Sequence, residues 1–490
     1  MRKALIVMLA LLLALTGVGA YAFREVNAPR EAVEYTVTSV YGDAAAADGL
    51  TVRLGETLRG HLLWNGTVRL EESGGAYETD YLFAPREIYE KDVPSLRGVS
   101  VTEDYFMGAW SPPDGAEPTG IDRAKAELFE ETEPGTSRRR RVRLADYYEY
   151  YPLIVNIELP TLFYGYYPGQ GDGAGPEAYA VRRITEFFSI PVLEDHYVDI
   201  EISKSADGRW VDTSGVSTSQ TGDSFSLYTS GVVGEKACYF WFGNRTSQGA
   251  LVDTSRIPGG YGIYALPYGH VRAEHYRGVE LYDGPDVFAD ELAVFYPVDE
   301  QSRIIHLGMS GDRERLTLHT VEDGVYTVTV LSAQTAEVLQ RLELAEYDPD
   351  GEWADIVDGE GFVFIRIGTK RLLVLSENDA GGYEKRIDAP LTDIERGEDY
   401  LPWNCWNTRD MVFDGEKLAV VGAGDAPYGR YAYRESGCGF FAAVYTGEGL
   451  RYYGLCGSSL DEANTAAYGN IYDNSIRPRV KTPVKASWDG

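Results

Sequence analysis

Glu194, Asp195 and His196 stand together just before a strand-like run over 197–203, and adjacent carboxylates are raw material for acid/base chemistry. A glycosidase-type site needs two acids about 5 to 9 Å apart, one of them desolvated, so Glu194 and Asp195 are the catalytic candidates of an enzyme reading. Along the run, Val198, Ile200 and Ile202 take one face while Asp199 and Glu201 take the other, which accounts for those carboxylates as a solvated face. Other catalytic patterns are missing. No Gly-x-Ser-x-Gly occurs; the nearest string, Gly308-Met309-Ser310-Gly311, falls in a turn where serine is expected anyway. There is no His-Glu-x-x-His either. His270 and His275 stand five apart with Glu274 between them, a spacing that shares a face on neither helix nor strand, and Pro267, Gly269 and Gly278 predict a loop there.

No metal site or cofactor is expected. The acidic turns Asp348-Pro349-Asp350-Gly351-Glu352 and Asp283-Gly284-Pro285-Asp286 offer the hard oxygens that Ca²⁺ takes, yet neither completes a calcium loop, and β-turns favour the same residues. Gly169-Gln170-Gly171-Asp172-Gly173-Ala174-Gly175 lacks the Lys-Ser/Thr of a phosphate loop and reads as a flexible loop.

Recognition chemistry is better represented. Tyr147, Tyr148, Tyr150 and Tyr151, then Phe163, Tyr164, Tyr166 and Tyr167, then Trp403 and Trp406 around Cys405, form aromatic groups. Tyrosine and tryptophan bring flat, rigid area with a polar handle, so Tyr148, Tyr150, Tyr164, Tyr166, Trp403 and Trp406 are the candidate ligand-binding residues, with core packing as the competing use. On a strand, Tyr148 and Tyr150 share one face and Tyr147 and Tyr151 the other. Arg138, Arg139, Arg140, Arg141 and Arg143 make the one dense basic cluster, suited either to an anionic polymer or headgroup or to the adjacent Glu127, Glu130, Glu131 and Glu133.

The elements that must carry these residues are mostly strands. Beyond about residue 50, short β-forming segments alternate with Gly, Asp, Asn and Pro. Strands are expected over 61–70, 151–159, 197–203, 237–242, 262–267, 293–297, 303–308, 315–320, 325–331, 338–344, 361–367, 371–376, 417–421, 440–445 and 450–454; helices are expected over 121–131, with Ile121, Leu128 and Phe129 on one face, and over 177–188. The segment 114–141 reads as a surface insertion and 475–490 as an exposed tail. A turn, a strand, a turn and a second strand recur from Ser310, Val357 and Asp414, at about the 50-residue period of a propeller blade.

The segment from Val325 through Thr335-Ala336 to Leu339 is similar to the strand-turn-strand of quinoprotein-like and related β-propellers, whose usual Thr-Gly is here Thr335-Ala336. The resemblance is architectural and implies an all-β, propeller-like fold of six to eight four-stranded blades; no aligned residues imply a bound quinone. Closing blades into a ring leaves no long unpaired sheet edge.

The chain has 490 residues, 76 acidic and 45 basic, a formal charge of −31, and 44% hydrophobic and 12% aromatic residues. That composition excludes a disordered chain and disfavours general nucleic-acid binding, since so negative a molecule repels phosphate backbones. Arg2 and Lys3 precede an apolar run from Ala4 to Phe23, the pattern of an export signal or a single transmembrane anchor, with Ala20-Tyr21-Ala22 fitting the small-x-small rule for cleavage. Either places the chain from Arg24 onward outside the cytoplasm. Cys238, Cys405, Cys438 and Cys456 are few for this length; Cys438 and Cys456 flank neighbouring strands and are the disulfide candidates.

The expected organisation is a signal or anchor at 1–23, a linker at 24–49, a propeller-like domain at 50–465 and a tail at 466–490; the alternative is a separate β domain at 50–205 before a propeller at 206–465. The expected function is an extracytoplasmic, membrane-anchored, non-catalytic binding or scaffold protein whose partner is an envelope glycan or protein. The alternatives are a carbohydrate-active hydrolase and a sensory ectodomain.

Overall fold

A computed structural model of the chain describes residues 8–9, 11–22, 33–58, 62–71, 74–83, 98–103, 117–159, 162–165, 176–206, 216–227, 229–269, 273–276, 279–282, 287–368, 370–378, 381–391, 408–423, 439–459 and 479–488. Two compact units result, one from Met1–Val93 with Glu352–Gly490 and the other from Pro94–Gly351. Residues 11–22 are helical with exposed side chains, and among the described residues no helix is long and apolar enough to cross a membrane. The first seven residues of the expected signal or anchor lie outside the described set.

The first unit opens with β1 (Tyr35–Gly42), β2 (Leu50–Leu58), β3 (Leu62–Glu71) and β4 (Gly74–Phe83). The second unit begins with β5 (Gly98–Glu103), α1 (Ile121–Glu131), β6 (Ser137–Arg143), β7 (Leu153–Leu159), β8 (Leu162–Gly165), α2 (Pro176–Phe187), β9 (His196–Ser203) and β10 (Val216–Gly222). It continues through β11 (Thr229–Val233), β12 (Ala237–Phe242), β13 (Gly262–Pro267), β14 (Ala273–Tyr276), β15 (Val279–Tyr282), β16 (Ala293–Pro297), β17 (Arg303–Met309), β18 (Arg315–Glu322), β19 (Val325–Ser332) and β20 (Val338–Glu346). The chain returns to the first unit with β21 (Ala354–Gly359), β22 (Phe362–Ile367), β23 (Arg371–Glu377), β24 (Tyr383–Pro390), β25 (Thr408–Phe413), β26 (Leu418–Ala423), β27 (Gly439–Thr446), β28 (Gly449–Ser458) and β29 (Arg479–Trp488).

In the first unit the sheets run β21-β22-β23-β24, β1-β28-β27-β26-β25 and β29-β2-β3-β4, with antiparallel pairing throughout. The middle sheet is apolar on both faces because each face meets a different core. Leu418, Val420, Phe441, Ala443 and Tyr445 pack with Phe362, Phe364, Leu372 and Val374. Their neighbours Ala419, Val421, Phe440, Ala442 and Val444 pack with Leu50, Val52, Trp64 and Val68. Period-two alternation therefore sorts one apolar run into two cores, and each large side chain so buried contributes roughly 1.5–3 kcal/mol over exposure.

Strands far apart in sequence pair in these sheets: Val37 of β1 lies opposite Cys456, and Ala486 of β29 opposite Val52. The segment 475–490, expected as an exposed tail, thus contains a strand with Val484 fully buried. Lys481, Pro483 and Lys485 disguise it in the sequence. Proline is tolerated because β29 is an edge strand and the pairing steps from Lys485 to Thr482 through a bulge.

The second unit holds the sheets β5-β7-β8, β10-β9-β6, β11-β12-β13-β16 and β17-β18-β19-β20 and the hairpin β14-β15. Its core gathers Val99, Leu128, Ile200, Phe240, Tyr264 and Leu318. Buried Thr229 ties β11 to β5, accepting from the Val101 N–H at 2.8 Å and donating to the Val99 carbonyl at 3.2 Å. Asp323 and Gly324, at φ 50° and 79°, make the tight turn between β18 and β19. In the resembled motif, Ala336 adopts φ 60°, the left-handed geometry that a glycine takes without strain. The expected insertion 114–141 supplies α1 and β6, which pairs with β9, and the loop expected around His275 contains the hairpin β14-β15.

Candidate functional site

The tyrosine-rich segment is not a strand at its start. Leu144–Asp146 form a short 3-10 turn, so the expected alternation of Tyr147 to Tyr151 does not apply there. Half-buried Tyr148 accepts the Ile121 N–H at 2.9 Å and so satisfies a free donor at the start of α1, whose N-cap Gly120 has no side chain to do it. Gly120 has φ 51°, and a Cβ there would stand 2.1 Å from the Tyr148 hydroxyl, so glycine and tyrosine are matched. Tyr150 is half-buried, and its hydroxyl, hydrogen-bonded by Glu149, has a raised pKa. Tyr151 is buried, its Oη 2.9 Å from Nδ1 of fully buried His196. Burial pushes His196 down to about 4 against a weaker opposing pull from Asp223. A second pair of the same kind joins His319 Nδ1 and Tyr326 Oη at 2.9 Å.

The arginine cluster lies on β6 and splits by strand period. Arg138 and Arg140 stand opposite Ile202 and Ile200 and reach α1, where Arg140 meets Glu127 at 3.1 Å and Glu131 at 2.5 Å. Arg139 and Arg141 face the other way and clamp Asp199 at 2.6 and 2.8 Å. Asp199, expected on a solvated face, is only 4% exposed, because these two guanidiniums cover it. The hydrogen bonds from Arg141 and then Arg139 hold its carboxyl far below the usual carboxylate range, against the opposing effect of burial. Arg143 pairs with Asp146. The basic cluster is thus engaged with the chain's own acids, as the adjacency of Glu127 and Glu131 suggested. Glu194 and Asp195 are both exposed in the turn before β9.

A cluster that the sequence reading missed occupies one end of the β21–β22 pair. Trp353 is 46% exposed, and the Arg366 guanidinium lies 4.6 Å from its ring centroid. Arg366 follows Phe362 and Phe364 on the core-facing side of β22 and is buried; its Nε donates to the Gly368 carbonyl at 3.1 Å, and Nη1 lies 3.9 Å from Asp355. Burial raises the Asp355 pKa, with Arg366 opposing. Lys370 and Glu352 form an ion pair at the same end, and the Gly368 N–H donates to the Trp353 carbonyl at 2.7 Å. The available signal was an arginine inside the apolar run 362–367, which must be buried and therefore needs partners.

Tyr166, Trp403, Trp406, Cys405, Cys438, 169–175 and Asp283 to Asp286 lie outside the described residues, and Tyr164 is placed on β8 by its backbone. Cys456 is buried on β28; Cys238 is a buried free thiol pushed up to about 12 by burial. In the turn 348–350, Asp350 donates its N–H to Asp348 at 3.0 Å and takes Arg303 at 2.9 Å. No group of acids, histidines or cysteines among the described residues is arranged to hold a metal ion.

No family model matches the chain, and no curated protein does. Among solved structures it is similar to the β-propeller domain of Cps50 (Swd1) from Myceliophteria thermophila, at 10% identity and TM-score 0.21, covering 53% of this chain and 82% of that one. It is also similar to a protein from Lactobacillus plantarum, at 11% identity and TM-score 0.24, covering 81% and 91%. A third likeness is to a structure from a study of two prolyl endopeptidases, at 11% identity and TM-score 0.23, covering 84% of this chain and 44% of that one. At such values the strand order of the chain itself is the ground for its fold.

Proposed function

We propose that this chain is a non-catalytic binding or scaffold protein of the cell envelope, its four-stranded meanders serving as blades of a β-propeller and its apolar N-terminus serving as export signal or anchor. The observation that carries this reading is the pairing of β1 with β28 and of β29 with β2, which joins strands far apart in sequence into shared sheets and so supports a platform for the loops. The exposed leucines of residues 11–15, following Arg2 and Lys3, support the membrane-directed part. The partner is a glycan or protein met outside the cytoplasm. The test is a glycan-array and hydrolysis screen on the full chain, together with fractionation and N-terminal sequencing of the exported product. Binding without turnover supports the proposal. Turnover abolished by Glu194→Gln or Asp195→Asn would replace it with the hydrolase alternative, and a product confined to the cytoplasm would overturn its localisation.

A further inference from the structure

We propose that the solvent-facing side of Trp353, at the end of the β21–β22 pair that also carries Asp355, Glu352 and Lys370, is a subsite for a neutral saccharide; this deepens the binding reading above and rests on it. Trp353 is the one exposed tryptophan among the described residues, at 46%. Its backbone is held by the Gly368 N–H at 2.7 Å, and its inner side is backed by Arg366 at 4.6 Å. Arg366 is itself fixed through the Gly368 carbonyl at 3.1 Å. A ring immobilised in this way loses little further freedom when a ligand stacks on it.

The surroundings select the ligand. An apolar peptide side chain would want apolar surroundings, whereas this end of the β21–β22 pair carries the Glu352–Lys370 ion pair and the half-buried Asp355 carboxyl. A cationic ligand would meet a ring that already serves one guanidinium, and an anionic one would meet Glu352 and Asp355. A pyranose escapes both conflicts. Its C–H face contacts the indole chiefly through dispersion, which does not depend on the ring's charge, while its ring-edge hydroxyls both donate to carboxylates and accept from the ammonium.

The test uses the full chain with chitotetraose and cellotetraose as probes, followed by calorimetry and by acrylamide quenching of tryptophan emission. At least one tetrasaccharide should bind the wild type and shield an emission component that W353F lacks. W353A should weaken that binding roughly tenfold and W353F and D355N each roughly threefold, with the thermal midpoint of W353F kept as the folding control. Binding of a tetrasaccharide that W353F and W353A leave at wild-type strength would remove the subsite while leaving the binding function standing. No binding of either probe to the wild type would overturn the inference, and the partner screen would then decide the broader reading. Retention of an array peptide through Trp353 in place of sugar would likewise overturn the saccharide assignment.

Discussion

The sheet β25–β28 and the sheet β10-β9-β6 use the same antiparallel pairing but dispose of their two faces differently. In the first, both faces are apolar, and Ala419 and Val420, adjacent in sequence, belong to separate cores. In the second, Val142, Val198, Ile200 and Ile202 bury one face together with Ile121, Ala124 and Leu128 of α1, while the other carries Arg139, Arg141 and Asp199. The alternation is equal in both; what differs is the company each face keeps. A strand's period says that two faces exist, and only packing decides whether a charge on one of them meets water or a partner.

The largest break in this contrast should come from the two-cored sheet. Phe440→Ala removes a fully buried ring on β27 and should cost about 3–5 kcal/mol, read as a lowered midpoint in thermal or urea unfolding. The charged sheet should instead respond to pH. His196, held down to about 4 from an ordinary 6.5, is neutral when folded, so its contribution is complete above pH 6.5 and is lost as pH falls toward 4. The loss should approach roughly 3 kcal/mol, and His196→Gln should flatten the unfolding profile across that window. A smaller effect is expected from Asp199→Asn. It leaves Arg139 and Arg141 facing solvent, where they are already more than half exposed, so the cost should be about 1–2 kcal/mol and should shrink as salt is added. The smallest is a gain: Ala336→Gly relieves a φ of 60° and should stabilise the chain by about 1 kcal/mol, seen as a slightly raised thermal midpoint.

Much of the fold was legible because its elements are short and sharply bounded. The helix expected over 121–131 is found with those bounds, since Ile121, Ala124 and Leu128 recur on one face and Pro134 follows its end. Strands at 237–242 and 262–267 are likewise found where β-forming runs end at Gly or Pro. β29 was not legible, because Lys481, Pro483 and Lys485 surround its buried Val484 in the sequence, and the pairing that rescues it comes from residues over 400 positions earlier. The site residues were less legible than the fold. Tyr148 looked like a recognition aromatic, but its hydroxyl serves a backbone donor of α1. Trp353 was overlooked because it lies just before β21 while its partner Arg366 lies on β22, and strand period carries no information about which charge an aromatic ring will cover.

The pairing of β29 with β2 also sets an order of events. Ribosomes make β2 over 400 residues before β29, so through that stretch of synthesis the flank of β2 that β29 covers has no mate. An open strand flank is a template for the wrong neighbour. Nascent copies of this chain therefore have to be kept apart until β29 emerges, and any product that stops short of β29 leaves that flank permanently available to its siblings.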